Sequence, residues 1–502
     1  GGNMQLWKMK ADGSEPQQVS QIEGGIEGFG ISPDEMHIYY TQYVHAKDIN
    51  SADVYEDADK SKARIYDDLM VRHWDYWDGG KYLHIFVADL LANGVGVATD
   101  IIGKESAWDA PLAPYFDHAE IAWSPDSKQL AYTCKPLTGK EYAVSTDSDI
   151  FVYDLENGTT RNLCKEVAHL PFVGYDKYPV WSPKGDKIAF RSQERPGNEA
   201  DKERLMIYDV ATGEVKYITP NFDYHATNVV WDGEEQLYFI SPIEATHQIC
   251  RVKTNSNSEV EVLTKGDHDI NSFEIKGGRC VGSVMTISMA PELFEFDLTT
   301  GAMTKITAVN DFVYDNIKMG EVQKRWVKTT DGKKMLTWVI LPPDFDASKK
   351  YPAIIYVYGG PHAQNITDTY NYGVRGWDLY MAQKGYVMLT VDNRGSSNRG
   401  LEFENVTHRQ LGVEEMKDQM KGVEFLKSLD YVDANRLGVH GWSFGGFNTL
   451  MSMSEGRPVF KAGVAVAAPT NWKYYDTVYT ERYMRTPKEN AGGYAINPIQ
   501  RA

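Results

Sequence analysis

Hydrophobic and polar positions alternate in short runs over the first 300 or so residues, and the runs form a repeat. Each copy has an apolar strand ending in an acidic residue, a polar stretch, an aromatic-Ser-Pro turn and a second alternating strand. The turns lie at residues 31–34, 123–126 and 181–184, with a fainter copy at 231–233. Trp123, Trp181 and Trp231 are 58 and 50 residues apart, a period typical of four-stranded propeller blades.

We therefore predict an N-terminal β-propeller over residues 1–310; the alternative is a β-sandwich in which these turns recur by chance. About five and a half blades are readable, and the first residues fall inside one. The propeller is therefore expected to be incomplete here, with about seven or eight blades in the full-length protein. Residues 43–82 interrupt the repeat with acidic, basic and aromatic side chains. This insertion either reaches a functional cavity or forms an elaborated surface hairpin.

The pattern changes after residue 310 to apolar runs separated by helical periodicity. Two antiparallel strands are predicted near 325–328 and 336–341, followed by buried strands at 353–358, 387–391, 437–439 and 463–467. Apolar residues at helical spacing predict a helix between the fourth and fifth of these six strands, namely Val413, Met416, Met420, Val423 and Leu426. Residues 311–502 are thus predicted to be an α/β domain with a largely parallel sheet.

Composition and charge exclude several classes of protein. With 42% hydrophobic and 24% charged residues, the chain is typical of a globular protein. No apolar run is long enough to span a bilayer, and a net charge of −18 argues against a nucleic-acid partner. The four cysteines lack metal-site spacing, so disulfides and buried free thiols both remain open. No metal or organic cofactor is predicted.

Residues 441–445, Gly-Trp-Ser-Phe-Gly, match the pattern GxSxG. Chance alone would supply about 0.3 matches in a chain of this composition. The context is more specific, because the motif follows the strand 437–439 and precedes a predicted helix at 447–453, as a nucleophile elbow requires. Ser443 is therefore the candidate nucleophile, and the Phe444 backbone N–H is the candidate oxyanion donor beside it. The alternative is a Gly-rich turn with a structural serine.

Three sequence blocks give this half of the chain a family resemblance. They are residues 358–361 (Tyr-Gly-Gly-Pro), 391–396 (Val-Asp-Asn-Arg-Gly-Ser) and 441–447. Together they resemble the catalytic domain of the prolyl oligopeptidase family of serine peptidases. Residues 471–484 are similar to the dipeptidyl peptidase IV and prolyl tripeptidyl peptidase branch, whereas the propeller half looks more like the dipeptidyl peptidase V and acylaminoacyl peptidase branch.

The resemblance implies an α/β-hydrolase fold and a set of site residues. The Tyr358 phenol would join the Phe444 amide in the oxyanion hole, and Trp472, Tyr475 and Tyr479 would line a pocket for proline. Flat aromatic walls suit proline, which is compact and has no N–H to satisfy. Without the resemblance, Tyr475 and Tyr479 would be interpreted as one helix face packed on the core.

The triad is incomplete in this sequence. α/β-Hydrolases carry Ser, then Asp or Glu, then His, but no histidine follows Ser443 and the one later aspartate, Asp476, lies inside the pocket motif. Either the homologue is degenerate, or the acid and base lie beyond Ala502 in a longer protein; truncation at both ends is the favoured hypothesis. The chain as given is then expected to be inactive, because serine without a base is an ordinary alcohol.

The predicted function is a serine exopeptidase that releases short N-terminal peptides, after proline or a small residue, through an acyl-enzyme on Ser443. An acylaminoacyl peptidase or broad oligopeptidase is the alternative, and a non-catalytic propeller binding protein is the alternative of another class. The paired-glutamate segment that holds the substrate amine in dipeptidyl peptidase IV relatives is absent, so dipeptidyl, tripeptidyl and acylaminoacyl specificity stay open. The resemblance also implies dimerisation and a periplasmic or secreted location, with the cytoplasm as the alternative.

Overall fold

The structure is a computed structural model that describes residues 2–167, 172–255, 259–314, 320–370 and 375–501. Contacts divide the chain into two compact units. Unit 1 contains residues 1–197, 204–218 and 476–478, and unit 2 contains residues 198–203, 219–475 and 479–502. The predicted domain boundary near residue 310 stays a prediction.

The Ser-Pro turns of unit 1 share one hydrogen-bond pattern. The Ser124 hydroxyl donates to Asp126, 2.7 Å away, and accepts from the backbone N–H of Gln129 at 2.9 Å. The turns at Ser32 and Ser182 repeat this arrangement. Each serine therefore closes the tight turn that joins two antiparallel strands of a sheet.

The turn tryptophans connect consecutive sheets. The Trp123 indole N–H donates to the Gly30 carbonyl and the Trp181 indole N–H to the Ala122 carbonyl, both at 3.1 Å. Each acceptor lies in the sheet one repeat earlier. The repeat therefore encodes contacts between neighbouring sheets as well as the turn within each sheet, as expected of propeller blades.

The sheets of unit 1 are antiparallel and meander in sequence order. Two of these sheets have four strands each. The strands of the first are Ile121–Trp123, Gln129–Cys134, Asp149–Asp154 and Thr159–Asn162, and those of the second are Asp176–Trp181, Lys187–Ser192, Arg204–Asp209 and Val215–Tyr217. An earlier sheet has five strands, Gly28–Ile31, His37–His45, Lys81–Leu91, Gly94–Val95 and Thr99–Asp100. The described residues of unit 1 also form two short strand pairs, Trp7–Lys8 with Gln17–Gln18 and, within the insertion, Arg72–His73 with Tyr76–Trp77.

Unit 2 begins with an eight-stranded sheet of the same antiparallel kind. Its two halves are joined by a single parallel pairing of His247 with Asp269. The strands are Thr227–Asp232, Gln236–Ile243, Thr246–Lys253, Glu261–Val262, Asp269–Lys276, Arg279–Thr286, Met289–Phe296 and Met303–Lys305.

The second sheet of unit 2 has six strands, as the sequence predicts after residue 310. In spatial order they are Val322–Lys328, Lys334–Ile340, Val387–Asp392, Tyr351–Tyr356, Val432–Trp442 and Ala462–Val466. The first two pair antiparallel with each other, and the second pairs antiparallel with the third. The last four strands are parallel. This order, with helices between the parallel strands, confirms the coarse prediction of a propeller-type half followed by an α/β-hydrolase half.

The predicted helix of the α/β half spans Glu414–Lys427. Met416, Met420, Val423 and Leu426 are all buried in one core with the parallel strands, so the periodicity placed the correct face inward. Gly422 allows the close approach, because a Cβ there would lie 2.6 Å from Val391 Cγ2. The helix therefore packs directly on the strand that precedes it.

The other helices are shorter. The α-helices are Ser51–Val54, Gly139–Val144, Leu163–Glu166, Asp311–Tyr314, Arg375–Gln383, Leu401–Glu404, Phe444–Met453, Tyr479–Met484 and Ala491–Tyr494, and the 3₁₀ turns are His118–Glu120, Asn405–Thr407, Trp472–Tyr474 and Pro498–Gln500. Across the described residues, no helix combines the length and apolar character needed to cross a bilayer. All four cysteines are buried free thiols, which decides between the two alternatives left open by the sequence.

Candidate active site

Ser443 lies at a sharp turn between the strand Val432–Trp442 and the helix Phe444–Met453. Its backbone has φ 56° and ψ −117°, a conformation that costs a non-glycine residue about 1–3 kcal/mol. Its N–H donates to the Val466 carbonyl at 2.9 Å, and its carbonyl accepts from the Phe447 N–H at 3.0 Å. These two bonds hold the strained residue in place, with its side chain at the end of a parallel strand.

The glycines around Ser443 are required by backbone crowding. A Cβ on Gly441 would lie 2.2 Å from the Gly445 carbonyl oxygen, and one on Gly445 would lie 2.1 Å from the Val357 carbonyl oxygen. Neither position can hold any side chain without moving the backbone. The pattern GxSxG is therefore the local requirement of this turn, as the sequence analysis predicted.

The loop that carries Tyr358 is held by buried amide side chains. Asn448, on the helix after Ser443, donates from Nδ2 to the Tyr358 carbonyl oxygen at 2.8 Å. Asn393 donates to the Gly359 carbonyl oxygen at 3.3 Å and accepts from Gln419 Nε2 at 2.9 Å. Gly359 has φ +69°, and a Cβ there would collide with the amides of both asparagines, each 2.6 Å away. The loop is thus fixed on the same helix that begins after Ser443.

Phe444 is the first residue of that ten-residue helix. The first N–H groups of a helix have no partner within it, and the helix dipole is positive at this end. The Phe444 N–H therefore has no partner within its helix and stays the predicted oxyanion donor. The Phe444 ring packs 6.2 Å from the Tyr358 ring, centroid to centroid, which brings the two predicted oxyanion-hole residues together.

Trp472, Tyr475 and Tyr479 form one aromatic cluster beside Phe444. The Trp472 ring lies 5.3 Å from that of Phe444, 5.4 Å from that of Tyr475 and 6.3 Å from that of Tyr479. Trp472 is 1% exposed, whereas the two tyrosines are partly buried. Trp472 thus supports the tyrosines from beneath, and their rings form the accessible part of the cluster.

The two tyrosines are not on one helix. Tyr475 follows the 3₁₀ turn Trp472–Tyr474, and the helix begins only at Tyr479. Between them Val478 has φ +77°, a strained value for a β-branched residue. The interpretation of Tyr475 and Tyr479 as one helix face is therefore wrong, and their approach, 5.2 Å between ring centroids, depends on this irregular segment.

Glu199 and Arg482 are site residues that the sequence analysis did not single out. Glu199 Oε2 lies 3.8 Å from Arg482 Nη1; the Arg482 side chain is fully buried and that of Glu199 is 30% exposed. Burial raises the pKa of the Tyr479 phenol well above its usual value, and the charges of Tyr358, Tyr475, Glu199 and Glu415 raise it further. Glu199 therefore acts electrostatically on the aromatic cluster. The one signal in the sequence was Arg482 itself, within the block 471–484.

Asp476 belongs to unit 1 and lies beside a histidine of that unit. Its carboxylate oxygen Oδ2 lies 3.1 Å from His73 Nδ1, and both side chains belong to unit 1. His73 lies in the short hairpin of the insertion. That Asp476 is a poor candidate for the triad acid stays a prediction.

The 43–82 insertion lines a cavity of about 500 Å³ within unit 1. Tyr43, Tyr76 and Tyr82 contribute to its wall, and Asp109 is a further lining residue. Burial raises the pKa of Asp109 to about 7. The insertion therefore forms part of a cavity wall, which favours the first of its two interpretations over a plain surface hairpin.

A buried ion pair and a buried carboxylic acid lie in the core of unit 2. Arg394 makes a two-pronged contact with Asp418, with Nε–Oδ2 at 2.9 Å and Nη2–Oδ1 at 2.7 Å, and both residues are buried. Glu415 is fully buried, accepts from the Gly412 N–H at 3.0 Å, and has its pKa raised to about 8 by burial. Glu415 therefore remains protonated at neutral pH, as a neutral acid below the aromatic cluster.

Known proteins match the chain along most of its length. The model of the prolyl oligopeptidase family matches residues 372–502. Dipeptidyl-peptidase 5 of Porphyromonas gingivalis is 36% identical over 477 residues, which cover 94% of this chain and 67% of the relative. Dipeptidyl-peptidase 5 of Porphyromonas endodontalis is 34% identical over 475 residues, 94% of this chain and 66% of the relative. The chain thus spans about two thirds of the length of these curated relatives.

Solved structures confirm the fold. An acylaminoacyl peptidase of Pyrococcus horikoshii superposes with a TM-score of 0.76 at 20% identity, over 99% of this chain and 73% of that one. Dipeptidyl peptidase 4 of Porphyromonas gingivalis superposes with a TM-score of 0.65 at 22% identity, over 98% of this chain and 69% of that one. The predicted serine-peptidase class, with exopeptidases among its relatives, is confirmed by the matches in sequence. On the elbow at Ser443 and these matches, the chain belongs to the prolyl oligopeptidase family of serine peptidases.

Proposed function

We propose that this chain carries the nucleophile, oxyanion hole and primary pocket of a serine exopeptidase that releases short N-terminal fragments after proline or a small residue. The observation that carries the proposal is the elbow at Ser443, followed directly by Phe444, whose ring contacts both Tyr358 and the aromatic cluster of Trp472, Tyr475 and Tyr479. The relatives named dipeptidyl-peptidase 5 support the same class of reaction.

The reaction would begin with attack of the Ser443 hydroxyl on the scissile carbonyl. The C–O bond to Ser443 forms, the negative charge moves to the carbonyl oxygen, and the Phe444 N–H and Tyr358 phenol stabilise it. When this intermediate collapses, the C–N bond breaks, the proton taken from Ser443 passes to the leaving nitrogen, and the acyl-enzyme remains. Water then hydrolyses the acyl-enzyme, which releases the fragment and restores the Ser443 hydroxyl. The base that takes the serine proton stays a prediction, since no histidine follows Ser443 in this sequence.

The pocket would select the residue whose carbonyl is attacked. Two tyrosine rings whose centroids are 5.2 Å apart and steeply inclined offer flat apolar walls at an angle. Proline fits such walls because it is compact and needs no hydrogen-bond acceptor for its nitrogen. A larger aromatic residue would have to displace one of the rings, which Trp472 holds from beneath.

Glu199 is the proposed anchor for the free amino group of the substrate. It belongs to the same unit as Ser443, and its side chain is 30% exposed. Its negative charge helps to raise the pKa of the Tyr479 phenol. A carboxylate near the pocket attracts an ammonium group, because the two can form a charge-assisted hydrogen bond. The anchor would limit cleavage to peptides whose amino terminus is free.

The test uses protein expressed from the complete gene. A fluorophosphonate probe should label the wild type and not the Ser443→Ala variant, and X-Pro-chromophore substrates should be cleaved faster than X-Phe-chromophore substrates. Absence of labelling of a folded wild type would contradict the nucleophile assignment. Equal rates on the two substrates would contradict the pocket assignment.

A second comparison separates the proposed function from its alternatives. The same substrate is offered with a free and with an acetylated amino terminus. Preference for the free form, reduced about 10-fold or more in Glu199→Gln, is expected. Preference for the acetylated form would instead indicate an acylaminoacyl peptidase, and folded protein that cleaves neither would favour a binding protein. Glu203→Gln, a change in the same short segment, is the control.

Location and assembly stay predictions. An exported location agrees with the resemblance to exported peptidases and would be checked by fractionating the source cells. Dimerisation through the α/β half would be checked by light scattering of the purified protein.

A further inference from the structure

Three buried side chains with metal-binding atoms lie close together in unit 1. Two of them are the first residues of strands in neighbouring sheets. Asp149 begins the strand Asp149–Asp154, Asp176 begins Asp176–Trp181, and Cys164 lies in the one-turn helix Leu163–Glu166. One carboxylate oxygen from each aspartate and Cys164 Sγ all lie within 4.8 Å of one another. Asp149 is 1%, Cys164 5% and Asp176 0% exposed.

The two carboxylates lack the hydrogen bonds that such burial demands. Among the described residues, neither oxygen of Asp176 makes a geometrically sound hydrogen bond, and Asp149 Oδ1 makes none. Ser192 lies opposite Asp176 on the neighbouring strand. Burial raises the pKa of Asp176, and the Ser192 hydroxyl offsets only part of that rise. A buried carboxylate without partners is costly, so the cluster requires either a cation or a proton.

The local charges favour a cation with two positive charges. Asp147, with its Oδ1 also unpartnered, is a third carboxylate beside the cluster. Lys165 is the ammonium group nearby, with Nζ 3.4 Å from Asp147 Oδ2 and 3.5 Å from Asp149 Oδ2. Arg204 also acts as a positive charge on Asp176. The three carboxylates and a Cys164 thiolate carry four negative charges, and Lys165 and Arg204 carry two positive charges, so two negative charges remain for a divalent ion to balance.

The donor types favour zinc over calcium or magnesium. Calcium and magnesium select oxygen ligands, whereas zinc takes thiolate and carboxylate together. The surrounding groups suit that role, because the Ile150 N–H donates to Cys164 Sγ at 3.5 Å and Asn162 Nδ2 donates to Asp149 Oδ2 at 2.7 Å. Bonds of this kind orient the ligands of a metal site.

We propose that Asp149, Cys164 and Asp176 form a structural zinc site between consecutive sheets of unit 1. Water would complete the four-coordinate shell, and the Cys164 thiol would release its proton to solvent when zinc binds. The Asp176 N–H already donates to the Ser148 carbonyl oxygen, and the Ser148 hydroxyl to the Asp176 carbonyl oxygen, both at 3.1 Å. Zinc would therefore add a second connection between two sheets that these hydrogen bonds already join.

Sequence spacing gave no indication of this site. The three residues are 15 and 12 positions apart and come from two strands and a one-turn helix, so no short motif contains them. Only the packing of one sheet against the next brings them together.

The experiment measures zinc in purified wild-type chain by elemental analysis after gel filtration, and unfolding temperature before and after dialysis against a chelator. The expected results are one zinc per chain, a lower unfolding temperature after chelation, and its recovery when zinc is returned. Cobalt in place of zinc should give a sulfur-to-cobalt charge-transfer band. Asp176→Asn and Cys164→Ser should each weaken zinc binding by about 100-fold and remove that band. Cys250→Ser, which alters a buried thiol outside the cluster, should do neither.

Wild-type chain that holds no zinc, shows no cobalt band and is unaffected by the chelator would overturn the proposal. If Cys164→Ser does not fold, the zinc content of Asp176→Asn tests the proposal. Asparagine has nearly the volume of aspartate but lacks its negative charge. An Asp176→Asn variant that retains stoichiometric zinc would also overturn it. An Asp176→Asn variant more stable than zinc-free wild type, with no zinc in either, would show that the carboxyl groups are protonated instead.

Discussion

The Asn448 side chain donates a 2.8 Å hydrogen bond to the backbone carbonyl of Tyr358, and so ties the loop of one predicted oxyanion donor to the helix that supplies the other. Asn448 is fully buried and does not touch the proposed reacting atoms, which makes it a positioning residue. The relative placement of the two donors therefore depends on one amide group.

Asn448→Ala should lower kcat about 10- to 100-fold with little change in KM, because a small misplacement of an oxyanion donor acts on the transition state. Steady-state kinetics on an X-Pro-chromophore substrate, with protein from the complete gene, measures this. Ser454→Ala, at the far end of the same helix, is the control and should leave kcat unchanged. A rise in KM alone would contradict the positioning role.

Tyr479→Ala should reduce the preference for proline over phenylalanine about 10-fold. The substitution removes one wall of the aromatic cluster, so the pocket loses contact area for proline and gains room for a larger ring. The ratio of kcat/KM for the two substrates is the measurement. Tyr474→Ala, which alters a side chain that is 84% exposed in the same segment, should keep the wild-type ratio; a Tyr479→Ala variant that also keeps it would contradict the assignment.

Gly445→Ala should destabilise unit 2 by about 3 kcal/mol or more, since its Cβ would lie 2.1 Å from the Val357 carbonyl oxygen and the backbone would have to move. Denaturant unfolding followed by tryptophan fluorescence would show the loss. Gly492→Ala places a methyl group in open space in a helix and should be neutral or stabilising by up to about 1 kcal/mol. Equal midpoints for Gly445→Ala and the wild type would show that the turn tolerates a side chain.

Glu415→Gln should remove a pH dependence of stability. Burial raises the pKa of Glu415 from 4.5 to about 8, so between these values the unfolded state releases a proton that the folded state retains. Stability from this group therefore falls as pH rises from about 4.5 to 8 and is constant above that range. Relative to the wild type, Glu415→Gln should gain about 2–5 kcal/mol between pH 5 and pH 8.

Unfolding midpoints of both proteins at pH 5, 6, 7 and 8 test this. The difference between them is the relevant quantity, because burial also raises the pKa of Asp109 and Glu120 to about 7 in both proteins. A constant difference across the series would contradict the assignment of a protonated Glu415.

The periodic parts of the fold could be predicted because their signals are local. The Ser-Pro turns repeat one hydrogen-bond pattern within six residues, and the helix Glu414–Lys427 buries the residues that its period selects. The elbow at Ser443 could also be predicted from local sequence. Backbone crowding around this one turn requires glycine at both position 441 and position 445.

The remaining site residues depend on contacts between distant segments. Asn448 acts on a loop 90 residues earlier, and Glu199 meets Arg482 only in the folded chain. The separation of Tyr475 from the helix at Tyr479 follows from the strained backbone at Val478, which helical spacing alone does not reveal.

The two kinds of sheet also differ in how far apart their paired strands lie along the chain. In the sheet from Asp176 to Tyr217 every strand pairs with the next one in sequence, so each hairpin can form as soon as its own residues are available. In the α/β sheet, Ile355 pairs with Val439, 84 residues later. Closing so long a segment costs chain entropy before any contact repays it. The strand that leads into Ser443 therefore requires the longest loop closure in its sheet, and we expect its pairing to be the slow step in assembling the nucleophile's surroundings.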